Sequence, residues 1–218
     1  MRRGMLSVVV AATVACASVP ARPPREVGRF RAADLVELVG IEPSVRLDVR
    51  YATERNFVGR PVYRQARVFL QRPAAEAVAR VHRGLAARGY GLLVFDGYRP
   101  WSVTRLFWAV TPPHLREFVA NPRQGSRHNR GCAVDLTLFD LATGREVEMP
   151  TPYDDFTEKA AQEYAGATPA QSAHRAMLRE AMAKEGFLTY PSEWWHFDYE
   201  RWREYPILDV PFEELASR

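Results

Sequence analysis

The chemistry of this chain concentrates in two short stretches. In Ser126-Arg127-His128-Asn129-Arg130-Gly131-Cys132-Ala133-Val134-Asp135, a histidine in a polar loop stands seven residues before an aspartate in an otherwise apolar strand. A carboxylate there is costly to bury unless it is paired or bound to a metal. About sixty residues on, Glu193-Trp194-Trp195-His196 sets a second histidine among aromatics, with a glutamate three positions before it. Two histidines and one aspartate would give a zinc ion three protein ligands and leave the fourth position to water, the pattern of a catalytic rather than a structural site. Glu193 could take the water's proton and pass it to a leaving amine. Spacing alone is weak support, since a histidine and an aspartate seven apart are common by chance.

The geometry of the second stretch poses a problem. In a regular strand Glu193 and His196 face opposite sides, because their separation is odd. Either Pro191-Ser192 bends the chain and frees Glu193 before the strand begins, or the strand is irregular. The tryptophans Trp194 and Trp195 read as core and wall of the site.

The other histidines carry no such context. His82 flanks the apolar stripe of a helix and reads as a half-buried packing residue. His114 follows Pro112-Pro113 as a surface residue, and His174 sits on a helix without acidic neighbours. The only cysteines are Cys16 and Cys132, so no disulfide or CxxC metal knuckle is expected within the fold.

Three helices and several strands must position these residues. Pro73 to Arg88 has apolar residues at helical spacing and is followed by Gly89. Gly91 to Phe95 reads as a buried strand ending in the turn Asp96-Gly97. Pro100 opens a second helix, which Pro112-Pro113 end. Asn121 to Gly131 is loop. Cys132 to Leu138 is a strand with Val134, Leu136 and Leu138 on one face and Ala133, Asp135 and Thr137 on the other. A short paired strand is expected at Glu146–Met149. Pro169 to Lys184 is the third helix, closed by Gly186, and Phe187 to Tyr190 and Trp194 to Tyr199 are the last strands. The irregular alternation and hairpin-sized connections predict an α+β single domain, a small, mostly antiparallel sheet packed with helices.

Composition excludes more than it identifies. A chain of 218 residues that is 47% hydrophobic and 26% charged is globular rather than disordered. Its formal charge of +4 comes from arginines spread along the chain, with only Lys159 and Lys184 as lysines. No charge block or basic–aromatic stripe points to nucleic acid. Arg2-Arg3, the apolar run from Met5 to Ala15 and the small residues after it read as an export signal, too short to span a bilayer. Ala15-Cys16-Ala17 suits an ordinary signal peptidase; Thr13-Val14-Ala15-Cys16 loosely suits lipoprotein processing, which would leave Cys16 as a lipid anchor. The expected organisation is therefore a leader and Pro-rich segment over residues 1–24, then one domain over 25–218, located in the bacterial periplasm or cell envelope. Oligomeric state is open.

The pattern S-x-H-x-x-G-x-A-x-D followed by E-x-x-H resembles the LAS-type zinc peptidases of bacterial cell walls. Within that group it is most similar to the D-alanyl-D-alanine dipeptidases of the VanX type. Leu47-Asp48-Val49-Arg50-Tyr51-Ala52-Thr53 with Asn56-Phe57, Gly89 to Leu93, Asp96-Gly97-Tyr98-Arg99-Pro100, Ala133 to Leu138 and Ser192 to His196 extend the likeness over residues 35 to 205. The resemblance implies one zinc per chain on His128, Asp135 and His196, with Glu193 as general base and then acid. It implies that Arg99 stabilises the oxyanion, against the plain reading of a loop arginine paired with Asp96. Ser126 would bind the substrate's carboxylate and Asp154 its ammonium group, with Asp155 adjacent and easily confused. The implied partner is a small dipeptide. A D,D-carboxypeptidase acting on peptidoglycan stem peptides and a non-catalytic, zinc-containing muropeptide-binding protein are the rival readings.

Overall fold

In the computed structural model, residues 19–215 are described. In chain order the regular elements are β1 (Leu35–Glu37), α1 (Leu38–Ile41), β2 (Arg46–Leu47), β3 (Phe69–Gln71), α2 (Arg72–Ala86), β4 (Tyr90–Asp96), α3 (Trp101–Val110), β5 (Ala133–Asp140), α4 (Pro169–Lys184), β6 (Phe187–Tyr190), β7 (Glu193–Tyr199) and α5 (Phe212–Leu215). The central sheet has the order β2-β4-β5-β7-β6. Its pairs are antiparallel except for β2 with β4, and β1 and β3 form a separate antiparallel pair. The expected α+β domain is thus the one observed. The reading of residues 2–17 as an export signal lies outside the described residues; residues 19–24 contain neither helix nor strand. No helix among the described residues is long and apolar enough to cross a membrane.

The three long helices lie within a residue or two of their predicted ends, because their start and stop signals are local. Pro opens α2 and α4, and α4 adds a capping box between Thr168 and Gln171. The buried stripe of α2, including Ala74, Ala77, Val78, Val81 and Leu85, packs on β4 and α4. Burying such a stripe is the main stabilisation of a surface helix, about 25 cal/mol for each Å² of apolar area removed from water.

Two expectations change. The segment Glu146–Met149 is no strand; it contributes a single bridge, Phe139 to Glu146. The short β1, β2 and β3 were not anticipated, having too few residues for a periodicity to register. Strand β5 is buried on both faces: Ala133, Asp135 and Thr137 are as covered as Val134, Leu136 and Leu138.

Two backbone irregularities matter for the site. Along β4 and β5 the register shifts between Val94 and Asp96, so that Asp96 stands opposite Asp135. On the other side of β5, Asp135 stands opposite His196 of β7. Three polar side chains on adjacent strands therefore form a row across an otherwise apolar sheet. Between β6 and β7 the register jumps from Thr189–Phe197 to Tyr190–Glu193, leaving three β7 residues unmatched. This bulge resolves the parity problem: Pro191-Ser192 is the hairpin turn, Glu193 belongs to the strand, and the irregularity brings it back to the side of His196.

Candidate active site

His128 opens a one-turn 3-10 helix, His128–Arg130, that closes on Gly131 in the left-handed conformation (φ 67°). That left-handed backbone strains any other side chain, and a methyl group at Gly131 would also press on Leu35 Cδ2 at 2.4 Å and the Gln71 amide nitrogen at 3.2 Å. The turn faces His128 toward β5 and β7. His128 Nε2 lies 3.2 Å from His196 Nδ1 and 3.4 Å from Asp135 Oδ1, and His196 Nδ1 lies 3.0 Å from that same oxygen. These three buried residues form the cluster, among the described residues, whose donor atoms suit a metal ion. A tetrahedral ion with bonds of about 2.0–2.2 Å needs donors separated by about 3.3–3.6 Å. The trio nearly has that spacing, and the donor set fits a divalent cation.

The far atom of each residue is occupied. His128 Nδ1 is 2.7 Å from Gly97 O, Asp135 Oδ2 accepts from Tyr153 Oη at 2.9 Å, and His196 Nε2 is 3.0 Å from Asp198 Oδ1. Gly97 admits no side chain, since a Cβ would lie 2.8 Å from Phe69 O. Burial would raise the pKa of Asp135, yet the charges and hydrogen bonds of His128 and His196 outweigh it and hold the carboxylate ionised.

Glu193 places Oε2 3.7 Å from His196 Nδ1. Burial, with the nearby charge of Asp135, pushes its pKa up to about 7 despite the opposing pull of His196. A carboxyl group poised near neutrality can both accept and return a proton. For Arg99 both readings hold at once. Its Nε and Nη2 donate to Asp96 Oδ2 at 2.9 and 2.8 Å, and Nη2 is also 3.6 Å from Asp135 Oδ2. The pair is buried, and the guanidinium lies against the rings of Tyr51 and Phe107. Asp96 is in turn bonded by Tyr63 Oη and the Gly97 amide, so the arginine is held from behind beside the trio.

A cavity of about 360 Å³ opens over these groups, walled by Arg99, Ser126, His128, Asp135, Asp154, Glu193 and His196 together with Tyr51, Trp195 and Phe156. All seven site residues expected from the sequence therefore share one cavity. Ser126 Oγ accepts from the His128 amide at 3.2 Å. Asp154 adopts a left-handed backbone (φ 62°), with Oδ1 bonded by Tyr51 Oη at 3.0 Å and Oδ2 buried without a hydrogen-bond partner. Burial, reinforced by Asp135, raises its pKa well above the carboxylate range. Asp155 instead bonds the Thr157 hydroxyl and does not line the cavity.

A protein-family model described as D-ala-D-ala dipeptidase, of the M15 peptidases, matches residues 31–213. The chain belongs to the M15 peptidase family. It is 33% identical to a D-alanyl-D-alanine dipeptidase of Escherichia coli over 84% of this chain and 94% of that one. It is 35% identical to one of Enterococcus faecalis over 78% of this chain and 89% of the other. A Streptomyces coelicolor dipeptidase of that name is 33% identical over 78% of this chain and 91% of its own length. As an M15 peptidase the protein is an enzyme with a buried His-Asp-His group suited to a metal.

The remaining residues of this M15 chain sort by their surroundings. His82 is more buried than expected: Nδ1 accepts from the Leu92 amide at 3.0 Å, so Nε2 carries the proton and points to Ser44 Oγ at 3.1 Å. Ser44 in turn donates to Glu42. The set has the composition of a nucleophilic triad with its proton donors reversed, and it ties α2 to β4 instead. His174 packs beside Tyr90 and contacts Glu148 O. Trp194 is core, its Nε1 bonding Thr151 Oγ1 at 2.9 Å, while Trp195 is wall. Sequence reasoning paired Asp96 with Arg99 but missed Tyr51, Tyr153, Asp198 and the bracing of Asp96 by Tyr63. Of these only Asp198 had an overt signal, its place two residues after His196 on the same strand face.

Proposed function

We propose that this protein is a zinc dipeptidase that hydrolyses D-alanyl-D-alanine to two D-alanines in bacterial cell-wall metabolism. The observation that carries the reading is the unpartnered, buried Oδ2 of Asp154 on the wall of the cavity that also holds the His-Asp-His trio. A buried carboxyl oxygen without a partner is a receptor for a cationic group, and a free α-ammonium is what distinguishes a dipeptide from an acylated stem peptide. The names of the relatives supply the stereochemistry and the side chains.

His128 Nε2, Asp135 Oδ1 and His196 Nδ1 would hold the ion, one per chain. A zinc ion there supplies Lewis acidity that polarises the amide carbonyl and acidifies water. Glu193 takes a proton from the attacking water at a carboxylate oxygen and delivers it to the departing amine nitrogen. Arg99, fixed by Asp96, donates to the carbonyl oxygen as negative charge grows there. Asp154 and Tyr51 orient the substrate's ammonium end, and Ser126 its carboxylate. The leader over residues 1–24 would deliver the enzyme to the periplasm or cell envelope, with lipidation at Cys16 or cleavage beyond it as the two routes.

The deciding experiment offers the purified protein free D-Ala-D-Ala and its N-acetyl derivative. The free dipeptide is expected to be cleaved and the acetylated one spared; preference for the acetylated substrate would instead identify a D,D-carboxypeptidase. Glu193→Ala should keep its zinc by metal analysis while turnover falls by at least about 100-fold. Undiminished turnover removes Glu193 from the mechanism.

A further inference from the structure

One buried carboxylate of the site has no role in the chemistry above. Asp198 lies two residues beyond His196 on β7, and the alternation of the strand sets both side chains on one side. It is 6% exposed, and its two oxygens point in different directions. Oδ1 lies 3.0 Å from His196 Nε2, while Oδ2 faces Arg127 Nε at 3.5 Å. The Arg127 guanidinium rests 4.9 Å from the ring centroid of Trp202, which limits where it can swing.

An imidazole offers a lone pair at one nitrogen only when the other carries the proton, and the partner of the protonated nitrogen decides which. The two histidines of the trio are held in opposite senses. His128 is fixed through Nδ1 by the neutral Gly97 carbonyl and presents Nε2. His196 is fixed through Nε2 by a carboxylate and presents Nδ1, the atom 3.0 Å from Asp135 Oδ1. A carboxylate acceptor also draws the shared proton toward itself and makes the opposite nitrogen a stronger donor.

We propose that Asp198 is a positioning residue of the metal centre: it accepts the Nε2 proton of His196, selects Nδ1 as the ligating atom and strengthens its hold on the ion, with Arg127 steadying the second carboxylate oxygen. The proposal rests on the reading of His196 as a metal ligand and adds a determinant of metal affinity outside the trio.

The test measures zinc affinity of the full chain by competition with a chromophoric chelator, for the wild type, Asp198→Asn and His196→Ala. Asp198→Asn keeps the shape and an acceptor oxygen but removes the charge; its zinc affinity is expected to fall about 10- to 100-fold. Its KM for dipeptide under saturating zinc is expected to match the wild type, which separates positioning of the ion from distortion of the cavity. An affinity within about twofold of the wild type overturns the proposal, and loss of zinc in His196→Ala alongside it leaves the ligand assignment standing. A wild type that binds no zinc overturns both. Nitrogen-15 NMR of the zinc-loaded wild type gives a second reading that needs no variant to fold. A metal-bound Nδ1 and a protonated Nε2 on His196 are expected, and metal on Nε2 refutes the proposal.

Discussion

At the scale of one residue, the proposed selection of a free dipeptide turns on Asp154. Its backbone sits in the left-handed region, which aspartate and asparagine tolerate better than most residues. Its Oδ2 is buried without a protein partner, and burial favours the neutral acid. On the proposed function, an arriving ammonium group would restore the charged form and complete the pairing. A hydrogen bond to a charged group contributes about 1.5–3 kcal/mol, or about 10- to 150-fold in affinity. Asp154→Asn keeps the shape and the left-handed backbone, so KM for D-Ala-D-Ala is expected to rise by that factor with a smaller change in kcat. Steady-state kinetics on the free dipeptide checks this, and an unchanged KM would assign the ammonium elsewhere. Asp135 and His196 were legible in the sequence because polar residues in apolar runs need a reason to be there, and His128 and Glu193 by their spacing from those two. Tyr51 and Tyr153 were not, because a tyrosine in an apolar run is ordinary core until a carboxylate is found at its hydroxyl. The bracing of Arg99 from Tyr63 through Asp96 is likewise a tertiary fact.

Among the elements, the helices and the β4, β5 and β7 strands were readable, since Pro, Gly and apolar spacing act locally. The two register shifts that assemble the site were not: a bulge depends on which strand lies opposite, and no local signal states that. The contact between α2 and β4 belongs to the same class. His82 spans it, and its pKa is lowered by burial, partly offset by Glu42, with Arg83 lowering it further. In the unfolded chain that histidine takes a proton near its ordinary value of about 6.5. As pH falls through that value the unfolded state binds the proton first, so the joint is fully stabilising above it and weakens below it. Protonation of Nδ1 also ends the bond from the Leu92 amide. The stability advantage of the wild type over His82→Gln is therefore expected to shrink between about pH 7.5 and 5.5. Urea unfolding of the two proteins across that range reads the difference, and an advantage that grows on acidification would contradict the assigned proton positions.

Over the whole molecule, the sheet gathers more negative charge than it can bury unaided. Asp96, Asp135 and Asp198 are buried, Asp154 and Glu193 line the same cavity, and Arg99 is the buried arginine among them. Asp96 is matched by Arg99, and the raised pKa values of Asp154 and Glu193 let those two hold protons. Asp135 and Asp198 are held ionised, with Arg127 as a partly exposed counter-charge to the latter. A dication between His128, Asp135 and His196 would complete this balance, and it would tie β5, β7 and the His128 turn together. Binding to the folded state alone stabilises it by mass action, about 4.1 kcal/mol when the free ion exceeds its Kd by about 1,000-fold. For a chain of this size each kcal/mol moves Tm by roughly 2–4 °C. Zinc at that excess is therefore expected to raise Tm by about 8–16 °C over the chelator-treated protein, with the increment growing with the logarithm of free zinc. Asp135→Asn, which keeps the fold's volume but removes a ligand charge, should lose most of that increment. Calorimetric scans with zinc buffered at several concentrations test both statements, and a Tm indifferent to zinc in the wild type would mean that the two strands and the turn close without the ion.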